Sequence, residues 1–211
     1  MKATVVLPVK RFAAAKQRLG LDEERRGPLV AAMLEDVLES IAAARMVERA
    51  LVVSGEPAAA EIAAGTAAEL VNDPADAGHP EAALLGIGRA VELGARCVAL
   101  LPGDCPLIDP RELDSLLTGM PERFVAIVPD RHGTGTNALV LSPPDAIRPA
   151  FGEDSCERHL EAAREAGIPF AVERLASLAV DLDTPADIIA LTRELDAGRG
   201  RAPRTAAVLG I

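Results

Sequence analysis

Tryptophan and tyrosine are absent from this chain, and four phenylalanines are its only aromatic residues. Proteins that grip single-stranded nucleic acid stack bases on such rings, so that class of function is excluded. Positive charge is also short: 22 Lys and Arg face 32 Asp and Glu, leaving −10 at pH 7. A general nucleic-acid binder needs a basic surface for the phosphate backbone, and this composition offers none. Cysteine is limited to Cys97, Cys105 and Cys156. An odd number without metal-ligand spacing points to reduced thiols. Cys105 follows Asp104 closely, but a nucleophilic role would need a base that the sequence does not supply. No apolar run is long enough to span a bilayer, and the N-terminus enters a strand at once instead of forming a signal peptide. The expectation is a cytoplasmic protein with no membrane and no nucleic-acid partner.

What remains is a chain of 211 residues, 49% apolar and rich in Ala, Val and Leu. That is enough for one large α/β domain with a substantial core. Residues 1–197 are read as that domain, and the Arg/Gly/Ala-rich residues 198–211 as a loosely ordered tail.

The most telling segment is Val98-Ala99-Leu100-Leu101-Pro102-Gly103-Asp104-Cys105-Pro106-Leu107. Its apolar run reads as a parallel strand buried on both faces. It breaks at Pro-Gly and then presents a carboxylate, where open α/β sheets bind ligands. A second acidic segment, Asp181-Leu182-Asp183-Thr184-Pro185, follows an expected strand at 178–180. Mg²⁺ takes one or two protein carboxylates and completes its shell with phosphate oxygens and water. Asp104 with Asp181 or Asp183 suits that role. Either of the latter could instead serve only as charge before the helix that Thr184 caps.

The lysines lie in the first sixteen residues, at Lys2, Lys10 and Lys16. Lys10, Arg11, Lys16 and Arg18 form a basic loop between the first strand, at 4–8, and a helix expected at 26–44 and nucleated at Gly27-Pro28. In a doubly wound fold that loop overlies the ligand crevice. Such a cation cluster neutralises a triphosphate and the charge that develops in phosphoryl transfer.

Elsewhere strands and helices alternate, which predicts a mostly parallel doubly wound sheet with helices on both faces. A β-loop-β piece from 124 to 141 interrupts the alternation and should add an antiparallel strand. Its loop, Gly133-Thr134-Gly135-Thr136-Asn137, offers hydroxyls and backbone N–H groups to an anion. Phe151-Gly152-Glu153-Asp154-Ser155 supplies a glycine and a hydroxyl at a helix start, a second anion site. Thr184-Pro185-Ala186-Asp187 reads as a capping box opening the last main helix.

These motifs occur in one order: Pro8-Val9-Lys10 with Lys16-Gln17-Arg18-Leu19; Asp104-Cys105-Pro106-Leu107; Gly133 to Thr136; Phe151-Gly152 with Ser155 and Arg158-His159; Asp181 to Asp187. Together they resemble the CofC/FbiD family of guanylyltransferases in coenzyme F-420 biosynthesis, over nearly the whole chain. The resemblance implies a nucleotidyltransferase-like fold and Mg²⁺-dependent transfer of GMP from GTP. The acceptor it implies is phosphoenolpyruvate, 2-phospho-L-lactate or a related phosphorylated three-carbon acid, and the downstream transferase of the pathway is a candidate partner. Lys10, Lys16 and Arg18 would hold the GTP phosphates, with Lys16 and Asp104 as catalytic residues and Asp104, Asp181 and Asp183 as metal ligands. The family's acceptor-binding Thr, Gly and Ser map onto Thr136, Gly152 and Ser155. One stretch departs. Where the family reads Gly-Leu-Asn, this chain reads Gly78-His79-Pro80-Glu81, which removes an amide from the nucleotide side and bears on guanine preference. A cytidylyl- or molybdopterin-type transferase on the same scaffold, or a nucleotide-binding regulator without turnover, are the alternatives.

Overall fold

The computed structural model describes all 211 residues, Ala14 and Glu23 by their backbone alone. β1 (Ala3–Pro8) leads through two short 3₁₀ turns to α1 (Glu23–Ala43). β2 (Val47–Ser54), α2 (Pro57–Ala64), β3 (Ala68–Asn72), α3 (His79–Glu92) and β4 (Val98–Leu100) follow. The second half contains α4 (Pro110–Leu117), β5 (Phe124–Pro129), β6 (Thr136–Ser142), α5 (Ser155–Glu165), β7 (Phe170–Val172), α6 (Pro185–Asp196) and α7 (Pro203–Leu209).

The strands form one seven-stranded sheet in the order β3-β2-β1-β4-β6-β5-β7. β1 pairs in parallel with β2 and β4, β2 with β3, and β5 with β7. β6 alone runs against its neighbours, antiparallel to β4 and β5. The apolar runs explain the layering, because a sheet covered on both faces buries successive side chains on opposite sides. Val5 and Leu7 enter one core with α1 and α4, while Val6 enters the other with α3 and α5. α3 lies so close to the sheet that a Cβ on Gly86 would sit 2.3 Å from Val6 Cγ1. Only glycine allows that approach.

The antiparallel strand settles where the sites can be. Leu100 of β4 pairs with Leu139 of β6. β6 therefore begins, at Thr136, on the edge where β1 and β4 end. The strand-to-loop exits of β1 and β4 and the entrance to β6 share one rim.

Three expectations are corrected. α1 starts at Glu23, not at Gly27-Pro28, because the extended Asp22 offers its carbonyl to the N–H groups of Arg25 and Arg26. Pro28 then lies inside the helix. The expected strand at 178–180 does not form. A 3₁₀ turn (Ala176–Leu178) is followed by a segment held by loop contacts: the Leu178 carbonyl accepts from Asn137 Nδ2 at 2.7 Å, and Leu182 N–H donates to the Asp104 carbonyl at 3.1 Å.

The tail is not loosely ordered. α7 docks on α1, and Asp36 of α1, 3% exposed, reaches its first turn. Asp36 Oδ2 accepts from Thr205 N–H at 2.9 Å and from Thr205 Oγ1 at 2.8 Å. Thr205 is itself fully buried. A carboxylate at a helix start satisfies backbone donors that would otherwise lack partners. Asp36→Ala is expected to destabilise the fold by about 1–3 kcal/mol, measured by urea unfolding. A change below about 0.5 kcal/mol, the usual effect of a surface substitution, would mean that this contact does not anchor α7.

Candidate functional site

β1 and β4 end side by side. The loop after β1 and the Pro102-Gly103-Asp104 turn after β4 face each other across a cleft of about 460 Å³. Lys10, Lys16, Arg18, His79, Asp104 and Asp183 line its polar side. Val30 and Leu34 of α1 form an apolar wall.

Lys16 is the centre of this arrangement. Its backbone is left-handed, with φ +58°, a conformation that costs a non-glycine residue about 1–2 kcal/mol. Its ammonium donates to Asp104 Oδ2 and, at 2.8 Å, to Asp183 Oδ1. The Lys16 side chain is only 6% exposed. Burial works against the charge, but Asp104 and Asp183 outweigh it and hold the Lys16 pKa well above its ordinary value. Burial likewise pushes the Asp183 carboxyl upward, while Lys16 and Arg18 prevail and hold it below the usual range. Arg18 Nη2 lies 2.8 Å from Asp183 Oδ2 and is largely exposed. Lys10 is exposed and makes no ion pair among the described residues.

Asp183 is aimed by Asp187, a buried side chain on the first turn of α6. Asp187 Oδ2 accepts from the N–H groups of Asp183 and Thr184 and from Thr184 Oγ1, at 3.1, 2.6 and 2.8 Å. Its other oxygen pairs with Arg131 at 2.6 Å. The capping box legible in the sequence therefore also fixes a cleft carboxylate. Asp181 stands apart from that pair. Its Oδ1 receives Asn137 Nδ2 at 3.4 Å, and burial followed by the nearby Asp104 charge raises its pKa. Among the described residues no three acidic, His or Cys side chains form a group that could hold a metal. Two carboxylates, Asp104 and Asp183, converge on one cation instead.

Thr136, Gly152 and Ser155 lie outside the cleft lining; Ser155 is buried, and its N–H donates to the Gly152 carbonyl at 3.2 Å. Cys156 N–H donates to the Thr134 carbonyl at 3.0 Å, which ties the start of α5 to the β5–β6 loop. Gly152 has φ +117°, and the Arg158 guanidinium lies beside it, with Nη2 3.4 Å from where a Cβ would be. The loop offers less to an anion than its composition suggests. The N–H groups of His132 and Thr134 already donate to Asp130 Oδ1, each at 3.1 Å.

The sequence reading named two histidines without giving either a role. His79, in the stretch that departs from the family pattern, lines the cleft and meets the Phe151 ring edge-on, with centroids 4.7 Å apart. Phe151 in turn meets His159 at 5.2 Å. His159 is fully buried and lies 3.0 Å from Thr136 Oγ1. The available signal was its spacing: Cys156, His159 and Ala163 fall on the buried face of α5, which makes a histidine there a core residue needing partners.

Burial, and then the neighbouring Arg158 charge, push the His159 imidazole down to about 4. The folded state therefore disfavours the proton that the unfolded chain takes up at its ordinary 6.5. The resulting stability is complete above pH 6.5 and lost as pH falls toward 4, in total about 3 kcal/mol. Urea unfolding at pH 7 and pH 4.5 should show that loss in the wild type and a smaller one in His159→Gln. Equal losses would assign the acid sensitivity to other groups.

Three comparisons bear on what this site belongs to. The family model described as guanylyl transferase CofC like matches residues 3–196. A phosphoenolpyruvate guanylyltransferase of Conexibacter woesei is 45% identical over 214 residues, covering 99% of this chain and 96% of its own. One of Sphaerobacter thermophilus is 42% identical over 190 residues, covering 89% and 91%. Among solved structures, a putative nucleotide-diphospho-sugar transferase from Desulfovibrio desulfuricans superposes with a TM-score of 0.76 at 18% identity, covering 99% of this chain and 94% of that one. CMP:2-keto-3-deoxy-manno-octonic acid synthetase complexed with CTP gives 0.65 at 18% identity, covering 94% and 99%. At that identity the two structures speak for the fold alone. The family match over nearly the whole length, and relatives above 40% identity, decide the rest: the chain belongs to the CofC-like guanylyl transferases and is a nucleotidyltransferase.

Proposed function

We propose that this protein transfers GMP from GTP to the phosphate of phosphoenolpyruvate, or of the related 2-phospho-L-lactate, and releases pyrophosphate. The observation that carries the reading is the convergence of Lys16, Asp104 and Asp183 at the cleft between the ends of β1 and β4. The relatives' name, phosphoenolpyruvate guanylyltransferase, favours that acceptor. In coenzyme F-420 biosynthesis a downstream transferase would consume the product.

Lys10, Lys16 and Arg18 would engage the triphosphate, each as a cation on the cleft wall. The donor set fits Mg²⁺. Asp104 and Asp183 are hard oxygen ligands, partly exposed to the cleft, and they already share one cation, the Lys16 ammonium. They would hold the ion, which supplies charge neutralisation for the phosphate oxygens when bound. Asp181, turned toward Asn137, is the weaker candidate. Thr136, Gly152 and Ser155 would hold the acceptor, aided by the start of α5.

In the reaction an acceptor phosphate oxygen forms a bond to the α-phosphorus. The bond from that phosphorus to the bridging oxygen breaks, and pyrophosphate leaves with the electron pair. The attacking phosphate is ionised at neutral pH, so no strong base is required. The chain's contribution is alignment and electrostatic stabilisation. Glu81 replaces the family's amide on the nucleotide side, so base preference needs its own measurement.

Pyrophosphate release should be assayed with each of four nucleoside triphosphates against phosphoenolpyruvate, 2-phospho-L-lactate and 3-phosphoglycerate. GTP with phosphoenolpyruvate is expected to give the highest kcat/KM. Preference for CTP, or no turnover with any pair, would contradict the reading. Asp104→Asn, which keeps the shape and removes the charge, should lower kcat about 10²- to 10³-fold in a protein that still unfolds in a single cooperative transition. Wild-type turnover at limiting Mg²⁺ would remove Asp104 from the metal site.

A further inference from the structure

His159 carries no assigned role, yet its two ring nitrogens are both engaged. Nε2 lies 2.8 Å from the Ala150 N–H. A backbone amide can only donate, so Nε2 bears no proton. The buried imidazole is neutral above about pH 4, so its single proton is on Nδ1. Nδ1 lies 3.0 Å from Thr136 Oγ1. The imidazole therefore donates to the threonine oxygen, and the hydroxyl hydrogen must point elsewhere. Thr136 is partly exposed at the rim. A hydroxyl left free could turn either its lone pairs or its hydrogen toward a ligand. With one lone pair taken by the imidazole N–H, this one keeps its hydrogen free to donate, which suits an anion. The ring cannot readily turn, because Phe151 packs edge-on against it and also against His79 of the nucleotide cleft.

We propose that His159 is a positioning residue for the acceptor: it fixes the Thr136 hydroxyl as a donor to an anionic acceptor oxygen and, through Ala150, anchors the turn that carries Gly152. The inference rests on the reading of Thr136 as an acceptor contact. It makes α5 a selector of the acceptor's negative group, with no contact between His159 and the substrate. Two substitutions separate the ring's two duties. His159→Gln retains an acceptor near Nε2 for Ala150 and loses the donor. His159→Asn retains a donor near Nδ1 and loses the acceptor.

The test combines kinetics with a direct observation of the proton. ¹⁵N NMR of the imidazole in the whole protein at pH 7 should show a protonated Nδ1 and a bare Nε2. This needs no variant that might fail to fold, and the opposite tautomer overturns the proposal. With GTP and phosphoenolpyruvate, Thr136→Val should raise the acceptor KM about 10- to 150-fold. His159→Gln should raise it about 3- to 10-fold, leave the GTP KM unchanged and exceed the effect of His159→Asn. On the Thr136→Val background His159→Gln should add nothing, since the hydroxyl through which it acts is gone. If Thr136→Val has its effect but His159→Gln raises both KM values alike, or adds its full effect to Thr136→Val, His159 is only structural and the proposal fails. If Thr136→Val leaves the acceptor KM unchanged, the acceptor site itself is misassigned and the inference falls with it.

Discussion

One ammonium shared by two carboxylates organises this rim. Lys16 reaches Asp104 from the loop after β1 and Asp183 from the segment before α6. Three distant stretches of chain are thereby joined at the ends of neighbouring strands. Two carboxylates this close repel each other and need a cation between them. Lysine supplies it. Lys16 holds this position with a left-handed backbone, and the bonds around Asp187 keep Asp183 in line. In the proposed reaction, the place that Lys16 satisfies is where a metal and phosphate would compete for the same charges.

The second constraint is topological. A purely parallel sheet would have given this rim only strand ends. Reversing β6 brings a strand beginning, Thr136, onto it. The chain then sets the Thr136 hydroxyl on the same edge as the cleft carboxylates. The His79–Phe151–His159 contacts link the two regions. α7, held by Asp36, backs α1 only two residues beyond Leu34 of the cleft wall.

What the sequence reveals follows how local each signal is. β4 with its Pro-Gly exit and the capping box of α6 are written in consecutive residues, and the structure carries both. The basic loop and Asp104 were legible as candidates for the same reason. The misses are non-local. Asp36 holds Thr205 across 169 positions, so the tail's composition alone could not reveal that it docks. The 178–180 stretch has strand-like residues but spends the Leu178 carbonyl on the Asn137 side chain of β6. Asp181 meets Asn137 and Asp183 meets Lys16, each partner far off in sequence. His159 is a core residue. Its significance comes from the two partners that its ring nitrogens find.

The central claim, that Lys16 belongs to the nucleotide side of a transfer site, is tested most directly by calorimetric titration of GTP with Mg²⁺ into the wild type and Lys16→Ala. Removing one charged hydrogen-bond donor to phosphate should weaken GTP binding about 10- to 150-fold, with phosphoenolpyruvate affinity unchanged. Equal GTP affinity in the two proteins would reduce Lys16 to a structural counter-charge for Asp104 and Asp183 and contradict the account.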